Sequence, residues 1–208
     1  MLENLEENNK NQGQELLKVP QLIQIGSSGR NSGKTTLAVR LINQWKEVLP
    51  IIGIKIVTIQ QKNGKCPRGG AGCGTCTNIT GDYELTREDG LISQKDTSLM
   101  LQAGCKEVYF LRAMKTHLPE AFRLFLRNIP ENHLIICESN TLRKHVEPGL
   151  FVFLHNTSGQ IKPAAQEVME MADITLKDRE VFPMERLKIA SADHRITISC
   201  GGEQRSES

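Results

Sequence analysis

A glycine-containing loop that ends in a lysine and two threonines is the first feature able to support chemistry. The segment reads Gly26-Ser27-Ser28-Gly29-Arg30-Asn31-Ser32-Gly33-Lys34-Thr35-Thr36. An apolar stretch that predicts a strand precedes it and an amphipathic stretch that predicts a helix follows it, which is the context a phosphate-binding loop requires. The pattern G-x-x-x-x-G-K-[ST] places its first glycine at position 28, where this chain has serine, and glycine follows at position 29. We therefore predict a phosphate-binding loop with one mild departure from the pattern.

Each residue type in this loop suits one part of nucleotide binding. Backbone N–H groups at the start of a helix point toward an anion, and glycine lets the chain close around phosphate. Lys34 would reach the β and γ phosphates, Thr35 would offer its hydroxyl to Mg²⁺, and Thr36 could add a contact to the α phosphate. The alternative interpretation is an ordinary turn followed by a capped helix. The predicted nucleotide-binding residues are Gly29, Arg30, Asn31, Ser32, Gly33, Lys34, Thr35 and Thr36.

A second requirement of such a site is a carboxylate near the metal ion. Glu138 directly follows residues 134–137, a short apolar run typical of a strand that is buried on both faces. Glu138 would hold Mg²⁺ through water or polarise the attacking water, and it joins Lys34 as a candidate catalytic residue. The alternative is a strand-end glutamate that faces solvent. Two interpretations of Asp96 stay open, a part in the site or only the N-cap of its helix.

Three of the six cysteines lie close together in a glycine-rich stretch, in a C-x6-C-x2-C array. Cys66, Cys73 and Cys76 could give three thiolates to Zn²⁺ or to an iron–sulfur cluster. The fourth ligand would come from Cys105, from Cys137 if its side chain is accessible, from a second copy of the chain or from an exchangeable group. The alternative is a flexible loop with free or redox-active thiols. The isolated cysteines are more typical of small core residues than of ligands: Cys105, Cys137 and Cys200.

Apolar periodicity indicates that strands and helices alternate around these residues. Strands are predicted at 21–26, 53–59, 107–111, 134–137, 150–154, 174–176 and 196–199, and helices at 34–47, 95–103, 119–129 and 163–172. Gly104 would stop the second helix, and Pro119 would stand in the first turn of the third. This order predicts an α/β fold, a P-loop NTPase three-layer sandwich with a mainly parallel central sheet.

Length and composition are compatible with one domain. The chain has 208 residues, of which 38% are apolar, and no run approaches the roughly 18 apolar residues that cross a bilayer. A net charge of +2 without a block of like charge argues against nucleic acid as the main partner. We expect a P-loop domain at 19–200 with a Cys-rich insertion at 62–82, and disordered tails at 1–18 and 201–208. Because the first residues lack the features of a secretory signal, we expect a cytoplasmic protein.

Four segments together resemble the MobB family, P-loop accessory proteins of molybdopterin guanine dinucleotide biosynthesis. The family's loop tends to read N-S-G-K-T-T-L, as residues 31–37 do here, and a lysine follows its second strand, as Lys55 does. Its K-D-[ST] helix that ends in A-G-A is similar to residues 95–105, and residues 134–138 match the strand with the carboxylate. The resemblance covers about two thirds of the chain.

The resemblance implies a protein that binds Mg²⁺ with GTP or ATP, between which the sequence does not decide, and that assists maturation of the molybdenum cofactor or a related metallocentre. Its implied partners are a client metalloenzyme or cofactor-biosynthesis protein and a second copy in a homodimer. The chain departs from the family at residues 56–58, where a histidine-rich turn is common, at 137–140, where V-E-G-F-K is common, and at the Cys-rich insertion. Two alternatives are a small-molecule kinase or ATP-dependent ligase of dethiobiotin synthetase type, and a metal-binding or redox module with a regulatory P-loop.

Overall fold

Strands and helices alternate along the chain in the computed structural model, which describes residues 15–59, 79–90, 95–161, 163–178 and 180–201. The strands are β1 (Leu17–Ser27), β2 (Ile51–Ile59), β3 (Tyr83–Arg87), β4 (Glu107–Met114), β5 (Leu134–Glu138), β6 (Val146–His155), β7 (Ile174–Lys177), β8 (Leu187–Ala192) and β9 (Arg195–Cys200). The α-helices are α1 (Lys34–Trp45), α2 (Asp96–Ala103), α3 (Leu118–Arg127) and α4 (Pro163–Met169). Short 3₁₀ helices occupy Lys115–His117, Thr141–Lys144 and Met184–Arg186.

Seven strands form one sheet in the order β3-β4-β2-β5-β1-β6-β7. Neighbouring strands are parallel except for β3, which is antiparallel to β4. The central strands β5 and β1 are the most deeply buried, since all of β5 and the last six residues of β1 are shielded from solvent. Strands of this kind must be covered on both faces of the sheet. The prediction of a mainly parallel central sheet is confirmed.

Helices cover the two faces and complete a three-layer sandwich. On one face Ile23 and Ile25 of β1 pack into a cluster with α1, α2 and the antiparallel β8–β9 hairpin. On the other face Leu22 packs into a cluster with Phe122 and Phe125 of α3, while β6 packs against α4. The predicted α/β three-layer architecture is confirmed. None of the helices in the described ranges is long and apolar enough to span a membrane.

The structure differs from the predicted elements mainly at their ends. β1 begins at Leu17, inside the predicted amino-terminal tail, because Leu17 N donates to His145 O over 3.1 Å and the strand pairs with the start of β6. The helices α1 and α4 end at Trp45 and Met169, before the predicted ends at 47 and 172. The apolar patterns predict neither β3 nor β8, since most residues of these strands are half-buried or exposed.

Candidate functional site

The loop between β1 and α1 is held at both of its ends. At the first end Ser28 N donates to Leu154 O of β6 over 3.0 Å, and Ser28 Oγ accepts a hydrogen bond from Asn156 N over 2.9 Å. At the second end Gly33 takes the N-cap position of α1 with φ 85°, in the left-handed region that glycine adopts without a steric cost. The turn between these ends therefore presents the start of α1 at the carboxyl edge of the sheet.

Lys34 turns its side chain back toward the loop. Its Nζ donates to Ser27 Oγ over 2.6 Å and to Gly29 O over 3.4 Å. The ammonium therefore lies beside the loop backbone, next to the N–H groups at the start of α1. Positive charge and helix N–H groups at one place are what a phosphate group binds. Arg30 and Thr36 are exposed on the same turn.

Thr35 contacts a carboxylate from the neighbouring helix. Thr35 Oγ1 donates to Asp96 Oδ1 over 3.0 Å, and Asp96 Oδ2 forms an ion pair with Lys55 Nζ of β2. Asp96 is the first helical residue of α2, whereas the N-cap position is Lys95, and no side-chain capping bond forms there. The interpretation of Asp96 as a helix N-cap is therefore wrong. Its carboxylate instead joins α2 to α1 and to the sheet.

Glu138, at the end of β5, joins Thr35, Asp96 and Lys55 in one group of side chains. It lies between Ile25 of β1 and Lys55 of β2 in the register of the sheet and is only 3% exposed, so the alternative of a solvent-facing glutamate is wrong. Its Oε1 has no hydrogen-bond partner within the described part of the chain. Burial lowers the pKa of Lys55, while the charge of Glu138 acts in the opposite direction. A buried carboxylate oxygen without a partner is costly unless a cation or a donor reaches it.

The oxygen atoms of this group suit a hard divalent cation. Thr35, Asp96 and Glu138 supply a hydroxyl and two carboxylates, and Mg²⁺ prefers such ligands together with water and phosphate oxygens. Within the ranges described, no group of three or more His, Cys, Asp or Glu side chains could hold a metal ion. The residues fit Mg²⁺ that arrives with a phosphate ligand, because phosphate oxygens would fill the remaining positions.

A cleft of about 380 Å³ opens beside the loop. Its walls include Asn31 and Ser32 of the loop, Asn156 after β6, and Asp178 after β7. Asp178 has φ 50° and accepts hydrogen bonds from Thr157 N over 2.9 Å and from Thr157 Oγ1 over 2.7 Å. These two hydrogen bonds lower the pKa of Asp178. The cleft therefore presents amide groups and a charged carboxylate next to the turn between β1 and α1.

The cysteines divide into those the structure describes and those it does not. Cys66, Cys73 and Cys76 lie outside the described residues, so the metal site predicted from their spacing stays a prediction. Burial raises the pKa of Cys105 to about 12 and that of Cys137 well above its usual range. Both thiols belong to the apolar core, as predicted, and their raised pKa values disfavour the thiolate that a metal needs.

The sequence predicts the loop and Glu138 as parts of one site, whereas Lys55 and Asp96 have weaker signals. The family resemblance points to Lys55, and a lysine inside an otherwise apolar strand is itself a signal, because burying an ammonium is costly. For Asp96 the sequence leaves two interpretations open. No protein-family model, curated protein or solved structure matches this chain. The fold and the site alone therefore describe its class, an α/β sandwich with two carboxylates, a lysine and a threonine hydroxyl at the carboxyl edge of its sheet.

Proposed function

We propose that the chain binds Mg²⁺ with GTP or ATP at the loop between β1 and α1 and hydrolyses the nucleotide slowly. The observation that carries the proposal is the meeting of four elements at one edge of the sheet. Thr35 of α1, Asp96 of α2, Lys55 of β2 and Glu138 of β5 lie within one network of contacts and register pairs. Parallel α/β sheets bind ligands at this edge, beyond the carboxyl ends of the strands.

Each residue takes a separate part in this function. The loop amides bind phosphate oxygens, and Lys34 neutralises the charge of the transferred phosphate. Thr35 and Glu138 hold Mg²⁺ directly or through water, and Asp96 adds a second carboxylate. When bound, Mg²⁺ neutralises charge on the phosphate oxygens. Hydrolysis is slow because both carboxylates are assigned to the metal, which leaves none of these residues to activate water.

Calorimetric titration with Mg·GTP and Mg·ATP tests binding. We expect Lys34→Ala to lose several kcal/mol of binding free energy, on the order of a charge-assisted phosphate contact or more. Lys188→Ala is the matched control, because Lys188 is an exposed lysine of β8. Equal affinities for the parent and Lys34→Ala would overturn the proposal.

Steady-state phosphate release tests the hydrolysis. We expect turnover below about 1 per second without a partner, and a further loss in Glu138→Gln. Glu147→Gln is the control, since Glu147 is exposed on β6. Fast turnover by the isolated protein would indicate a dedicated ATPase or kinase instead. A Glu138→Gln protein as active as the parent would remove the Mg²⁺ role of Glu138.

The accessory role in metallocentre maturation is proposed from the resemblance in residues 31–37, 95–105 and 134–138. In this role the nucleotide-bound protein, as a homodimer, acts on a client metalloenzyme or a cofactor-biosynthesis protein in the cytoplasm. The test is the activity of molybdenum enzymes in cells that lack the gene for this chain. We expect the parent gene to restore activity and the Lys34→Ala gene not to. Unchanged enzyme activity in the deletion strain would contradict the role.

A small-molecule kinase or ATP-dependent ligase is the second candidate, and one observation favours it. Lys55 pairs in register with Glu138 at the end of β5, whereas β2 continues to Ile59 alongside β4. An acceptor substrate would bind beside this extension, near Lys55 and Glu138. A screen for metabolites that stimulate ADP release separates the two functions. A strong stimulation by one metabolite would favour the kinase or ligase.

A further inference from the structure

At the start of the loop, the side chain of Asn140 makes the hydrogen bonds to Ser27 that a neighbouring strand would otherwise make. Ser139 N still donates to Ile25 O over 3.1 Å, but at Asn140 the backbone turns out of the sheet, with φ −84° and ψ −49°. β1 continues to Ser27, which has no β5 residue beside it. The amide of Asn140 fills this place, because Ser27 N donates to its Oδ1 over 2.7 Å and its Nδ2 donates to Ser27 O over 2.8 Å. Both backbone groups of a buried residue are thereby paired.

Through Ser27 this contact reaches the lysine of the loop. Ser27 Oγ accepts the hydrogen bond from Lys34 Nζ over 2.6 Å and donates to Gly29 O over 2.8 Å. The backbone position of Ser27 therefore sets where the ammonium of Lys34 and the carbonyl of Gly29 lie. A chain of hydrogen bonds thus runs from Asn140 to the phosphate-binding turn.

The surroundings of Asn140 restrict the position of its side chain. A Cβ atom at Gly26 would lie 3.0 Å from Asn140 Oδ1 and 2.9 Å from the ring of Phe151, so glycine is what lets the amide lie against β1. Asn140 also precedes the 3₁₀ helix Thr141–Lys144, in which Thr141 Oγ1 lies 3.1 Å from Thr58 Oγ1 of β2. The segment after Glu138 is therefore tied to both β1 and β2.

We propose that Asn140 is a positioning residue that holds Ser27, and through it Lys34 and the loop, in the geometry that binds a triphosphate. This inference rests on the proposed function, since the loop must bind a triphosphate for the position of Lys34 to matter. Asn140 acts only through Ser27. A loop already held in its binding geometry loses less conformational freedom when the ligand binds, which raises the affinity.

The first test is a double-mutant cycle with whichever of Mg·GTP and Mg·ATP binds the parent more tightly. We expect Asn140→Ala to weaken binding about tenfold or more, as the loss of two hydrogen bonds implies. In the Lys34→Ala background we expect the same change to cost less affinity, because the part of its effect that passes through Lys34 is already lost. Asn128→Ala is the control, since the Asn128 amide also donates to a backbone carbonyl, Leu124 O, but at the end of α3.

The second test is Asn140→Asp, which also serves if Asn140→Ala does not fold. An ionised carboxyl group can accept from Ser27 N, but it has no N–H for Ser27 O. We expect the affinity to fall, and to fall less when the change is made in the Lys34→Ala background. A general loss of stability would lower the affinity equally in both backgrounds.

The outcomes separate the inference from the function on which it rests. If the parent binds Mg·nucleotide and Asn140→Ala binds equally well, the inference fails and the proposed function stands. A loss for either variant that is the same in the Lys34→Ala background also overturns the inference. If the parent binds no triphosphate, the proposed function fails and the inference fails with it.

Discussion

The carboxylate of Asp96 connects groups from three elements at the residue scale. Its two oxygens bind the Thr35 hydroxyl of α1 and the Lys55 ammonium of β2. A cation that takes the Thr35 hydroxyl as a ligand would therefore lie within reach of the same carboxylate. The pair with Lys55 also offsets part of the cost of burying this lysine, whose pKa is lowered by burial.

We predict that Asp96→Asn weakens binding of Mg·nucleotide about tenfold or more, because the negative charge next to the metal is lost. Affinity measured in EDTA should change much less, since no metal is then bound. Asp89→Asn is the matched control, because Asp89 is exposed on the segment before α2. Equal losses with and without Mg²⁺ would contradict a metal role for Asp96.

Asp178 allows the cleft to be tested separately from the proposed phosphate-binding loop. We predict that Asp178→Ala lowers the affinity for Mg·GTP or Mg·ATP and leaves the affinity for Mg·tripolyphosphate unchanged, because the cleft lies beside the loop and would hold the nucleoside. Asp193→Ala is a close control, since Asp193 has φ 49° and Asp178 has φ 50°. Equal losses for both ligands would mean that Asp178 acts on the phosphate site.

At the scale of elements, α2 positions Asp96 in the site. The stability of this helix depends on the residue that ends it, Gly104. Gly104 stops the helix with φ 118°, as the sequence predicts, and a Cβ there would lie 2.7 Å from Lys46 Cδ. We predict that Gly104→Ala lowers the free energy of unfolding by about 1 to 3 kcal/mol, from backbone strain and crowding. Gly159→Ala should change this free energy little, because a Cβ at Gly159 would lie 4.0 Å from Asn156 O. Chemical denaturation measures both, and equal effects would contradict the explanation.

The Cys-rich insertion between β2 and β3 gives a prediction from spacing alone. We predict that Zn²⁺ or iron binds to Cys66, Cys73 and Cys76 and protects the three thiols together from alkylation. Because thiols lose protons when they bind metal, occupancy should fall as the pH drops. Metal analysis of protein purified without oxygen, with alkylation before and after chelation, checks this. Independent, chelator-insensitive alkylation, or no stoichiometric zinc or iron, would leave free or redox-active thiols as the interpretation.

The elements that could be predicted from sequence are those whose burial is uniform or strictly periodic. Residues 134–138 are apolar up to Glu138 and entirely buried, so the strand and its terminal carboxylate follow from the pattern. β3 pairs only at the sheet edge, and its burial alternates too weakly to be recognised. The partners of Asp96 are also not predictable, because a carboxylate that meets residues 35 and 55 depends on the order of the strands rather than on local spacing.

At the scale of the whole molecule, the site joins α1, α2, β2 and β5, so a ligand there would bind only the folded chain. We predict that Mg·nucleotide at one hundred times its Kd raises the free energy of unfolding by about 2.7 kcal/mol. The same concentration should leave Lys34→Ala almost unchanged. Chemical denaturation with and without ligand measures this, and an equal shift in both proteins would indicate binding at another place.

The position of β1 in the sheet has a consequence for the newly made chain. β1 is made first, yet its neighbours are β5 and β6, and Gln24 Nε2 donates to Ser139 O across 115 positions. On a ribosome that adds about 5 to 20 residues per second, this apolar strand stays without its neighbouring strands for on the order of 10 seconds. Until residues 134–155 emerge, neither Asn140 nor Leu154 can fix the loop. The loop can therefore take its final geometry only late in biosynthesis, and until then β1 exposes apolar side chains of the kind that chaperones bind.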